Sequence, residues 1–162
     1  MGLGFQLAES YSGSYYRLDE PFRDHPMRIS LRLGVNGLRR FLRERKVEAK
    51  GLIHAEGLAA REVEGVALGG TLAMKLFDEK RIPYDLTFEG DDGRTYRLRG
   101  QRDFFVHDAV DSLTMLPASL YDDANVEIGR ALLRFDPKTE LPTLVKSFRP
   151  RVRIARLSGG KA

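Results

Sequence analysis

From Met27 to Leu33 apolar and polar residues alternate without a fault, which puts Met27, Ile29, Leu31 and Leu33 on one face of a strand. The same period of two runs through 82–89, where Ile82, Tyr84, Leu86 and Phe88 share a face. That second run sits inside a meander over 72–104, with strands expected at 72–77, 82–89 and 95–104. Asp92-Gly93 marks the last connection as a hairpin, because its glycine accepts the positive φ such turns need.

The remaining segments extend the pattern. Residues 5–18, rich in β-forming Tyr11, Tyr15 and Tyr16, read as a first strand, and 19–26, with Pro21, Pro26 and four charges, as an irregular surface loop. Asn36 is placed to cap a short helix whose Leu38, Phe41 and Leu42 form one apolar stripe. A strand over 47–56 and a long curved one over 61–77, bending at Gly69-Gly70, follow. Residues 105–111 read as a loop, 112–121 as a strand in which Pro117 forces a bulge or an edge, 122–125 as a turn and 126–135 as the last strand. Leu141, Leu144, Val145 and Phe148 have the spacing of a C-terminal helix, and 158–162 read as a disordered tail. About eight strands, two short helices and no βαβ alternation predict a mainly β fold, an antiparallel up-and-down β-barrel formed as one domain over 1–157.

Composition narrows the chemistry. The 162 residues suit one domain with its own core, and the absence of cysteine excludes disulfides, thiolate metal sites and a cysteine nucleophile. With no signal-like N-terminus and no run of roughly 18 apolar residues, a soluble, cytoplasmic protein is expected. A net charge of +4 is concentrated in Arg39, Arg40, Arg43, Arg45 and Lys46 and in the C-terminal tail. Arg39, Arg40 and Arg43 are therefore the candidate contacts for an anionic surface, such as a membrane or an acidic partner. Without interleaved aromatics, they do not read as a nucleic-acid platform.

No stretch specifies a reaction. His25, His54 and His107 lack metal-ligand spacing, no Gly-x-Ser-x-Gly elbow surrounds Ser12, Ser14 or Ser112, and Asp91-Asp92 is explained by turn geometry. No nucleotide loop or dinucleotide fingerprint occurs, so no cofactor is expected. A ligand site is easier to propose. Met74, Tyr84, Phe88, Tyr96 and Met115, with Leu86 and Leu98, either fill the barrel or line a pocket for an apolar molecule. Strict alternation also carries Arg102 and Arg130 onto an apolar face, where each would need a carboxylate or an anionic head group unless a bulge at Gly100 or Gly129 turns it outward.

Two resemblances bear on this. Gly13-Ser14-Tyr15-Tyr16 is similar to the Gly-x-aromatic signature near the start of lipocalin-type barrels, where a ring plugs one end, although lipocalins usually carry a tryptophan there. Phe5 with Tyr11-Ser12-Gly13, Met27-Arg28-Ile29, the segments 70–77 and 84–88, Gly93-Arg94-Thr95-Tyr96-Arg97-Leu98-Arg99-Gly100, 112–116 and 129–135 together resemble an extra region beside bacterial GMC-type, cholesterol-oxidase-like flavoprotein oxidoreductases. That resemblance implies an accessory domain in a lipid or sterol setting and an oxidoreductase partner, without oxidase activity of its own. The expected function is non-catalytic binding of a fatty acid, sterol or lipid in the barrel, with an arginine at its polar end. The alternatives are an interaction module using the basic helix and tail, and a cofactor-free enzyme, which would require a polar cluster inside the barrel.

Overall fold

Eight antiparallel strands pair in chain order, and the last returns to the first: β1 (Phe5–Arg17), β2 (Glu20–Val35), β3 (Lys46–Ala55), β4 (Val66–Ala73), β5 (Arg81–Glu89), β6 (Thr95–Asp103), β7 (Met115–Tyr121) and β8 (Glu127–Arg134). The helix α1 (Leu38–Glu44) lies between β2 and β3. The computed structural model describes residues 5–35, 37–73, 81–103 and 115–135. The expected C-terminal helix, the loop over 105–111, the Asn36 side chain and the tail lie outside them.

Closure is the pairing of β1 with both β2 and β8. Gly13 makes the second contact: a Cβ built there would sit 2.0 Å from the Leu132 carbonyl oxygen. Only a residue without a side chain lets β8 come this close. The apolar row of each strand turns inward. Met27, Ile29, Leu31 and Leu33 from β2, and Ile82, Tyr84, Leu86 and Phe88 from β5, are all buried, as the alternation predicts.

Four expectations are corrected. Residues 20–26 are strand rather than loop: Ser14 to Tyr16 pair with Pro26 to Asp24. The β2–β3 ladder stops at Met27↔Ala55, and past it the Pro26 carbonyl accepts the Glu56 amide at 3.1 Å, a bond that asks for no proline amide, so a proline costs no ladder hydrogen bond there. Residues 61–64 belong to the β3–β4 connection, and Gly65 at φ +116 ends it. The N-cap of α1 is Gly37, with no side-chain cap, in place of Asn36. Finally, the apolar stripe of α1 does not all face inward, because Phe41 packs on the core while Leu42 is 65% exposed.

The connections divide the barrel into two ends. At one lie the tight turns β1–β2, β5–β6 and β7–β8 and the β3–β4 loop; at the other lie α1, the starts of β1, β5 and β7 and the end of β8.

Candidate functional site

The turn end is closed by its own side chains. Tyr15 stacks on His25 at 5.2 Å and donates its hydroxyl to the Glu56 carbonyl. Burial pushes the Tyr15 phenol up, against the opposing pull of Arg17. The Asp91 carboxylate accepts the amides of Ala60 (2.9 Å) and Arg61 (3.0 Å), tying the β3–β4 loop to the β5–β6 turn. Phe88 and Tyr96 stack at 5.9 Å, and the Tyr96 hydroxyl donates to Asp92 Oδ2 at 2.5 Å. Burial first, and then this hydrogen bond, raise Tyr96 to about 12, while the same bond lowers Asp92 below the usual carboxylate range.

Further along the interior, the apolar wall is interrupted. Glu9, Tyr11 and Tyr15 face inward from β1, and Glu9 is only 8% exposed. The Tyr11 hydroxyl donates to Glu9 Oε2 at 2.6 Å, and the Tyr84 hydroxyl donates to the same oxygen at 3.3 Å. The two hydroxyls are 3.0 Å apart. Tyr11 meets Tyr84 edge to face and leans on Phe135 at 5.8 Å. One carboxyl and two phenolic hydroxyls thus form a polar, hydrogen-bonded cluster inside an otherwise apolar wall.

The wall beside this cluster is thin. Tyr84 stands opposite Gly100 in the β5–β6 ladder, Gly100 opposite Ala118, and Ala118 opposite Ala131. Three small residues thus follow one tyrosine around the barrel. The β6–β7 ladder also ends at Gly100↔Ala118, and an open cleft of about 560 Å³ lies over it, lined by Arg99, Gln101, Pro117, Ser119 and Arg130. Pro117, expected at a bulge or an edge, sits just past the last β6–β7 pair.

The predicted ligand residues are not all gathered. Tyr84 belongs to the cluster, whereas Phe88 and Tyr96 close the turn end. Met115 is on the outer row of β7, because Leu116, Ala118 and Leu120 take the inner one. Arg130 also faces outward, 2.9 Å from Glu127. The cause is a bulge: Leu120 pairs with Gly129 and Tyr121 with Glu127, so Ile128 has no partner in the ladder and the alternation shifts by one. Ile128 then packs on the core, and Gly129, Ala131 and Leu133 form the inner row. Arg102 pairs with Ile82 in the β5–β6 ladder, but its side chain lies outside the described residues, as does all of Met74.

Sequence reasoning missed Glu9. Its spacing from Tyr11 and Tyr15 already put it on their face, but a charged residue does not count as an inward one under an apolar criterion.

Arg39, Arg40 and Arg43 are exposed on α1. Arg40 and Arg43 both contact Glu44, at 3.1 and 3.4 Å, and hold its carboxyl below the usual range. Among the described residues, no helix is long and apolar enough to cross a membrane, and no three of His, Asp and Glu gather as a metal site. Comparison of the chain with protein-family models, with curated proteins and with solved structures gave no match.

Proposed function

We propose that the barrel binds an apolar small molecule, a sterol or another lipid, whose polar group meets Glu9, Tyr11 and Tyr84. The observation that carries this reading is the polar cluster itself, set in an apolar interior beside Gly100, Ala118 and Ala131. Burying a carboxyl has a cost that a core made only of aliphatic residues would avoid. A ligand hydroxyl matches the cluster because it can donate to Glu9 and accept from a tyrosine. A fatty acid is the poorer fit, since its carboxylate would bring a second acid against Glu9. The resemblance to a region beside sterol-oxidising flavoproteins leads to the same ligand class. This replaces the expected arginine anchor at Arg130, which lies outside the barrel wall.

The test is competitive displacement of a fluorescent sterol from the purified protein. A sterol or long-chain alcohol should compete at least tenfold better than a fatty acid of equal length, and Tyr84→Phe should weaken binding severalfold. No displaceable binding of any apolar probe, together with native mass spectra free of ligand, would end the proposal.

A further inference from the structure

The ion pairs among the described residues are unevenly spread. Asp85 lies 3.2 Å from Arg97 and 3.8 Å from Arg99, Glu89 pairs with Arg61, Asp123 with Arg94, Glu127 with Arg130, Asp19 with Arg17, and Glu44 with Arg40 and Arg43. All lie on β5 to β8, at the turn end or on α1. The outer face of β2 and β3 is different: Arg28, Arg32 and Lys50 are exposed there, and none has an acidic partner among the described residues. Arg28 donates to the Val63 carbonyl.

The register sharpens this asymmetry. Arg32 stands directly opposite Lys50, and Arg28 opposite His54. Like charges placed directly across two strands repel, so folding alone gives no reason for the Arg32–Lys50 pair. Arg134 extends the patch across β1, since Ser12 pairs with both Arg28 and Arg134. The flanking residues are small: Ala8, Ser10 and Ser12 on β1, and Ala67 and Gly69 on β4. Glu48, exposed two positions before Lys50 and opposite Gly34, shares this face but is in no ion pair among the described residues, so the cations outnumber it on an otherwise low-relief sheet face. Between the two cross-strand pairs, Ser30 faces Leu52, which is 37% exposed, and Leu42 on the connecting α1 is 65% exposed.

We infer that this face docks on an anionic lipid bilayer. A smooth face of roughly three strand spacings, about 15 Å across, matches a flat array of head groups. Leucines set among cations supply the apolar contact that holds a peripheral protein at the interface. Nucleic acid fits less well, because among the described residues the patch offers no ring between its cations on which a base could stack beyond His54, the exposed Phe22 standing apart at the turn end of β2. The same docking would hold α1 and its end of the barrel close to the bilayer, the source of an apolar ligand, although the inference does not depend on one.

Vesicle co-sedimentation tests it. The full chain should bind phosphatidylcholine vesicles doped with phosphatidylserine and leave pure phosphatidylcholine in solution, and binding should fall as salt rises. The double variant R32Q/K50Q should lose roughly 10- to 30-fold in affinity. Because it relieves a like-charge pair, it should unfold no earlier than the parent, so a loss of binding cannot be put down to misfolding. R97Q/R99Q, on the other side of the barrel, should bind as the parent does. Unchanged binding by R32Q/K50Q, absence of binding to the doped vesicles, or tighter binding to single-stranded RNA than to them would each overturn the proposal.

Discussion

Tyr11 and Tyr84, 73 positions apart in the chain, meet hydroxyl to hydroxyl at 3.0 Å while both donate to the same oxygen of Glu9. The contact joins β1 to β5 across the barrel, so it forms only when the cylinder is closed. Replacing Tyr84 by Phe removes one donor to a buried carboxyl and should cost about 1 to 2 kcal/mol in a denaturant titration. A double-mutant cycle with Tyr11→Phe should give a clearly non-additive result. Additive effects would mean that the two phenols do not act as one unit.

At the closed end, Asp91 should matter more than its exposure implies. Asp91→Ala leaves the amides of Ala60 and Arg61 without their carboxylate, with an expected loss of about 1 to 2 kcal/mol. Limited proteolysis should then cut first within 56–65. Unaltered protease resistance there would show that the loop is held by other contacts.

Alkaline stability reports on Tyr96. Its phenol is raised from 10.0 to about 12, so the folded state holds that proton more tightly than the unfolded chain. The stabilisation is complete below pH 10 and is lost as the pH climbs through about 12. Asp92 runs the other way: its lowered carboxyl contributes above its ordinary value of 3.8 and loses that contribution in acid. Tyr96→Phe should flatten the alkaline fall in denaturation midpoint, although Tyr15, also raised, will preserve part of it. An alkaline profile identical to the parent's would disprove the assignment.

Two glycines in strands should respond oppositely to a methyl group. At Gly70 a Cβ would lie 1.9 Å from the Asp85 carbonyl oxygen, whereas nothing lies within 4 Å of one at Gly34. Gly70→Ala must push β4 and β5 apart and should cost about 1 to 3 kcal/mol or more. Gly34→Ala should stay within about 0.5 kcal/mol of the parent. Equal melting temperatures for the two variants would contradict the close packing of β4 on β5.

The frame of this barrel was legible wherever one face of a strand is apolar throughout. Met27 to Leu33 and Ile82 to Phe88 needed only their period of two, and Asp92-Gly93 needed only its turn chemistry. Local signals failed where a neighbouring strand decides the outcome. Pro26 looks like a loop residue until β1 is seen to pair with it through Ser14, and Pro21 lies where the β1–β2 register shifts between Tyr16↔Asp24 and Arg17↔Glu20. The outward turn of Arg130 depends on a bulge at Ile128 that only the β7–β8 register reveals. Most of the candidate site was hidden for a related reason: Tyr84 lay on a clear apolar row, but Glu9 acquires its meaning from two phenols, one of them far away in the chain.

The short β6–β7 ladder makes one seam of the cylinder weaker than the others. If thermal motion also parts the pairs from Gly100↔Ala118 to Arg97↔Tyr121, the barrel becomes a rolled sheet with two raw edges, and such edges recruit strands from other molecules. Pro117 stands at the point where that parting would begin and has no amide hydrogen to offer a visiting strand. The residue that stops the ladder from extending therefore also guards the opened protein against self-association.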